Sequence, residues 1–92
     1  MVNSELKGNI IRRLKRIEGQ VKGIERMLDT EGCCCMDVLV QVSAVRAATS
    51  KVGEMILANY AQACLAEALA DDRSDREKKL EDLLLLINNF IK

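Results

Sequence analysis

Apolar side chains recur along this chain at intervals of three and four residues, and no proline interrupts them. That spacing keeps one stripe of an α-helix apolar and leaves the rest to solvent, so helices are the structure it allows. Ile10, Leu14, Ile17, Val21, Ile24 and Leu28 step by 4, 3, 4, 3 and 4, predicting a first helix that ends near Gly32. Val38, Val42, Val45, Thr49, Val52 and Ile56 repeat the stepping beside Leu39, Ala48 and Met55, predicting a long second helix over about residues 34–66. A third is expected to open at SDRE, where Ser74 and Glu77 have capping-box spacing, and to carry Leu80, Leu83, Leu84, Ile87 and Ile91. DDRSD is the connection before it. Gly19 and Gly23 lie inside the first helix, where each costs about 1 kcal/mol relative to alanine; their expected use is to let another backbone approach. Residues 1–92 read as one all-α domain of three helices, without strand, internal repeat or low-complexity stretch.

A single domain of 92 residues buries only about 60 to 65 per cent of its unfolded surface. Tyr60 and Phe90 are its only aromatics, so there is little bulky material for a compact core. Oligomerisation is the expected remedy. The amino terminus, MVNSELKGNIIRRLKR, reaches charge within five residues, and no apolar run approaches the roughly 18 residues of a membrane span. A cytoplasmic protein with no membrane partner is expected. In that compartment four cysteines point to redox or metal chemistry rather than to a disulfide framework.

Net charge is zero, but it is unevenly distributed. Lys7, Arg12, Arg13, Lys15, Arg16, Lys22 and Arg26 face only Glu18 and Glu25 over the same stretch, whereas Asp71, Asp72, Asp75, Glu77, Glu81 and Asp82 crowd the carboxy-terminal third. The basic stretch reads either as a solvated helix face or as a surface for phosphates, which a duplex would occupy by releasing counterions. Arg12, Arg13, Lys15, Arg16 and, from the middle of the long helix, Arg46 and Lys51 are the candidate nucleic-acid contacts. Neither a phosphate loop nor a His/Asp pair to serve a nucleophile is present, since the chain has no histidine, so an enzyme is not expected.

The cysteines are Cys33, Cys34 and Cys35, in the run GCCCMD, and Cys64. Cys35 lies three residues before Val38, and Cys64 lies four after Tyr60, itself four after Ile56, so both thiols extend the apolar seam of the second helix. They stand 29 residues apart, about 43 Å of straight helix at 1.5 Å per residue, whereas a disulfide needs Cα atoms within about 7 Å. Two copies packed antiparallel would bring Cys35 of one to Cys64 of the other, with the midpoint at Thr49 and Ser50 in the small-residue run AATSKVG. Inert cysteines on a seam are common. A triplet at a helix start is different, because the dipole and unpaired N–H groups there lower a thiol's pKa. Cys35 is therefore expected to be the reactive thiol, and Cys64, near the helix end, its slower partner.

The stretch IIRRLKRIEGQVKGIERML, followed by CMDVLVQVSAVRAA and a cysteine late in the long helix, resembles the copper-sensitive operon repressor (CsoR) family of bacterial transcriptional repressors over about residues 5–66. The resemblance implies a three-helix protomer, an antiparallel four-helix-bundle dimer and a disc-shaped tetramer, which binds operator DNA until an inducer occupies the cysteine sites. It makes Arg13 and Lys51 the best matches to DNA-contacting positions. In the family's copper sensors the ligands correspond to Cys35, Cys64 and a histidine at the position of Tyr60; this chain has no histidine. That departure also separates it from the histidine-rich nickel and cobalt sensors, while Val2 stands where formaldehyde sensors carry proline. It resembles most the persulfide-sensing (CstR-like) branch, which keeps both cysteines without the histidine.

Three readings follow. In the first, the repressor needs no cofactor: Cys35 takes sulfane sulfur from a persulfide or polysulfide, and Cys64 of the other chain resolves it into a bridge. The alternative is a repressor released by Cu(I), or another soft metal, bound by thiolates alone from Cys35, Cys64 and Cys34. The third is a helical interaction protein without DNA binding. Cys33 and Cys34 are possible accessory thiols, to which the resemblance assigns no counterpart.

Overall fold

A computed structural model describes residues 3–70 and 73–91, with side chains described from Asn3 to Ala70 and from Arg76 to Ile91. These residues form three helices and no strand: α1 (Ser4–Asp29), α2 (Cys35–Ala70) and α3 (Arg73–Ile91). The all-α expectation holds. One compact unit comprises the chain through Met55, and the other the chain from Ile56 onward.

In the first unit, Asn3 caps α1, its Oδ1 accepting from the Leu6 N–H at 2.7 Å. The helix ends where Thr30 turns extended; the Thr30 N–H reaches Met27 O at 3.2 Å and its hydroxyl donates to Arg26 O at 2.8 Å. Gly32 then takes φ +76, the left-handed conformation that glycine adopts without a Cβ penalty, and turns the chain into α2. Gly19 and Gly23 meet nothing: a Cβ built on either has no neighbour within 4 Å. The close approach expected of them does not occur among the described residues of the protomer. Ile10 and Val52 are the unit's buried hydrophobic side chains among the described residues.

In the second unit the last turns of α2 are joined to α3. Arg76 Nε donates to Ala68 O at 2.8 Å, and Lys79 Nζ stands 3.8 Å from Glu67 Oε2. The carbonyls of a helix's last turn lack partners of their own, and a guanidinium there also suits the dipole. This contact accompanies an α2 that runs to Ala70 instead of the expected 66. The third helix likewise begins at Arg73, one residue before the expected cap Ser74, whose side chain lies outside the described residues, as do Asp71 and Asp72. Ala68 and Leu83 are buried here.

The seams are present as helix faces, yet they are open. Leu28, Leu39, Val42, Ile56, Leu69, Leu84 and Ile91 are among the large apolar side chains left exposed.

Candidate functional site

The basic side chains are set out by α1. At about 100° per residue, Arg12, Lys15, Arg16, Lys22 and Arg26 project away from the stripe begun by Ile10 and Leu14, and all five are exposed. Arg13 differs. It lies beside the apolar stripe, half-buried, and its Nε donates to Asn9 Oδ1 at 3.2 Å, one turn back. On α2, Arg46 and Lys51 are both exposed, but five residues place them about 140° apart around the helix. α1 therefore displays a continuous basic face, and the two α2 residues do not share one.

The cysteine triplet ends where α2 begins. The Cys34 carbonyl accepts the first helical bond, from the Val38 N–H at 3.2 Å, which makes Cys34 the residue that caps the helix. Its exposed thiol accepts from the backbone N–H groups of Asp37 and Met36, and these hold its pKa below the ordinary thiol value. The sulfur does there what a serine hydroxyl or aspartate carboxylate does at other helix starts. Cys35, expected to begin the helix, is its first residue, with an exposed thiol; the capping place of Cys34 was not read from the sequence. The available signal was C-x-x-D, from Cys34 to Asp37, which has the capping-box spacing with cysteine in the capping place. Cys33 is half-buried, its N–H directed at Thr30 O at 3.4 Å.

Cys64 is a free, half-buried thiol on the same helix, six residues before Ala70. Its neighbour is Tyr60, one turn earlier. A hydrogen bond with Cys64, and then the negative charge of that sulfur, push the Tyr60 phenol above its ordinary pKa; Asp82 of α3 and Glu67 add smaller contributions of the same sign. The adjacent Asn59 Oδ1 is buried with no hydrogen-bond partner among the described residues, as is Gln20 Oε1 of the first unit.

No group of three or more histidine, cysteine, aspartate or glutamate side chains that could hold a metal ion occurs among the described residues of one protomer. No helix among them is long and apolar enough to cross a membrane.

A family model described as metal-sensitive transcriptional repressor matches residues 6–89. The chain is 41% identical over 90 residues, 98% of its length and 86% of the relative's, to the copper-sensing transcriptional repressor CsoR of Bacillus subtilis (strain 168). Its fold matches the crystal structure of the copper-sensing repressor CsoR with Cu(I) from Geobacillus thermodenitrificans NG80-2, with a TM-score of 0.84, 39% identity, and coverage of 100% of this chain and 93% of that one. It also matches the nickel-responsive transcriptional regulator InrS, with a TM-score of 0.78, 34% identity and coverage of 90% of each chain.

Proposed function

Because the chain belongs to the family of metal-sensitive transcriptional repressors, we propose that it holds operator DNA through its basic residues and releases it when Cu(I) engages Cys35 of one protomer and Cys64 of the partner subunit. The likeness, over nearly the whole chain, to two proteins described as copper-sensing carries this reading. It displaces reactive sulfur, which neither relative's description mentions, as the first inducer to test.

Cu(I) suits the donors present in part. Thiolates are soft ligands, and Cys35 and Cys64 are both free. The histidine of the copper sensors has no replacement in kind, because Tyr60 offers a phenol, whose oxygen is a hard donor for a soft metal. The fit is to a site of thiolates alone, with Cys34 as the available third sulfur. Each thiol must give up its proton to become a ligand.

Sharing the site between protomers is supported by the open seams. Apolar side chains such as Val42 and Ile56, on the stripe between the two cysteines, remain exposed in the single chain. The buried, unpaired Asn59 Oδ1 would cost about 1–3 kcal/mol if it stayed so, and a second copy of the chain can supply its donor. An antiparallel dimer, assembling further into a tetramer, answers both. Arg12, Arg13, Lys15, Arg16, Arg46 and Lys51 are the proposed DNA contacts, and residues 1–92 act as one DNA-binding and sensor domain.

A second reading is favoured by Tyr60 itself, since a site lacking the nitrogen ligand is suited to sulfur chemistry. The Cys35 thiolate attacks a polysulfide, takes one sulfur and expels the shortened chain. The Cys64 thiolate of the partner subunit then attacks the Cys35 sulfur, forms a disulfide and expels hydrosulfide, so two thiols are oxidised and one sulfane sulfur is reduced.

One experiment separates the readings. Reduced protein bound to a duplex carrying the upstream region of its own gene is titrated anaerobically with buffered Cu(I), and separately with polysulfide, while anisotropy is followed. Release by stoichiometric Cu(I), lost in Cys35→Ala and in Cys64→Ala, is the expected result. Insensitivity to Cu(I), with polysulfide causing release and an interchain crosslink, selects the second reading.

A further inference from the structure

The glycines of α1 all lie on its basic side, and the proposed function gives them no role. At about 100° per residue, the sector opposite Ile10, about 120° wide, contains between positions 8 and 26 only Gly8, Gly19, Gly23 and the exposed cations of the basic face. No apolar or acidic side chain enters it there. Glu18, Glu25 and Asp29 form a row along one edge, toward the apolar stripe, and Glu5 stands at the amino-terminal limit. Lys22 and Arg26 continue the face one and two turns beyond Gly19. Both are exposed, and neither forms an ion pair among the described residues, although Glu18 and Asp29 stand within a turn of them. Glycine weakens a helix interior, so glycines confined to one face need a reason. Among the described residues, a Cβ on Gly19 or Gly23 meets nothing within 4 Å, and one on Gly8 meets only Arg12 Nη1 at 3.9 Å, an ordinary contact. The protomer itself does not require these positions to be small.

We propose that this face sits directly on the phosphate backbone of the duplex, that Lys22 and Arg26 are phosphate contacts beyond those already named, and that Gly19 and Gly23 admit a phosphate strand between the cations. Around the helix, Gly19 lies between Lys15 and Lys22 on one side and Arg12 and Arg16 on the other. What approaches there must be anionic to face those charges and must come close to the helix backbone to use the missing Cβ atoms. An apolar helix would find nothing on this face to bury. From Arg12 to Arg26 the face runs about 21 Å, and a duplex carries one charge per about 1.7 Å of its axis, so phosphates outnumber the cations and spacing sets no limit. The inference rests on the reading that the chain binds operator DNA, and it adds where on α1 the duplex lies.

The test follows anisotropy over a range of salt for two labelled duplexes, one carrying the upstream region of the protein's own gene and one of scrambled sequence. Phosphate contacts carry no sequence information. Lys22→Ala and Arg26→Ala should each weaken both complexes alike, by about tenfold at about 0.1 M salt, and lower the log–log salt slope by about one unit. Gly19→Leu and Gly23→Leu should also weaken both complexes, although no charge is removed. Their melting temperatures should be no lower than that of the wild type, and Gly19→Ala and Gly23→Ala should melt higher, since the protomer has space for the added atoms. The proposal is overturned if Lys22→Ala and Arg26→Ala keep the wild-type affinity and slope, or if Gly19→Leu and Gly23→Leu bind DNA as the wild type does. It is equally overturned if Gly19→Leu lowers the mass measured by light scattering, because the glycines would then face a second copy of the chain. A wild type that binds neither duplex even at low salt would remove the DNA reading itself, and this inference with it.

Discussion

The guanidinium of Arg76, near the start of α3, donates to the carbonyl oxygen of Ala68 at 2.8 Å and closes the last turn of α2. The bond is part-buried, so its loss should cost about 1 kcal/mol. Arg76→Ala should speed amide exchange from Ile56 onward and leave the α1 amides protected as before. Equal acceleration throughout the chain would show that the bond does not act locally.

Val42 lies on the stripe between Cys35 and Cys64 and is 44% exposed in the lone protomer. A charge there costs a solvated monomer little but would be buried without a partner between two copies. Val42→Glu should leave helicity intact and lower the mass measured by light scattering toward that of one chain. If the wild type itself scatters as a monomer at micromolar concentration, the shared site has no basis.

Arg13 is held against Asn9 at the edge of the basic face. If it touches a phosphate, Arg13→Ala should weaken operator binding and flatten its dependence on salt by about one unit of log–log slope. Asn9→Ala, which frees the guanidinium, should weaken binding less and keep the slope. An unchanged affinity and slope in Arg13→Ala would return this residue to the solvated surface.

Cys34 caps α2 with a sulfur whose pKa is lowered by the N–H groups of Asp37 and Met36. Ionisation is thus easier in the folded chain than in the unfolded one. The resulting stability is absent below the folded pKa, grows as pH rises through it, and is complete above the unfolded thiol value of about 8.5. The melting temperature of the wild type should therefore climb relative to Cys34→Ser across that window. Cys34→Ala, with no capping atom, should melt below both at every pH. Parallel curves for wild type and Cys34→Ser would mean that the thiolate does not cap.

The three helices were legible because stepping by three and four leaves no other regular structure available. Their ends were not. Helix ends depend on caps, and the Arg76 to Ala68 bond spans the connection between two helices, where no periodicity reaches. Cys34 escaped notice as a cap because cysteine is not among the usual capping residues. The basic face was legible from rotation along α1 alone, whereas the bond from half-buried Arg13 to Asn9 was not. The spacing of Tyr60 and Cys64 was visible in the sequence, but the charge of Asp82 near the phenol required α3 to fold back beside it. In the proposed function the inducer is selected by sulfur atoms drawn from two chains, and one sequence supplies the atoms without their distances.

The 36 residues of α2 run without a break from Cys35 to Ala70, which makes the helix a shaft whose phase is shared by everything mounted on it. Inserting one residue in its middle would turn Tyr60 and Cys64 by about 100° relative to Cys35. In an antiparallel pair that single error would appear at both sites together. Four inserted residues would nearly restore the phase, yet they would lengthen the shaft by about 6 Å and slide each thiol past its mate. In the proposed antiparallel pair, the spacing between the two cysteines is therefore inherited as one indivisible quantity: side chains along the shaft can be exchanged one at a time, but its length cannot.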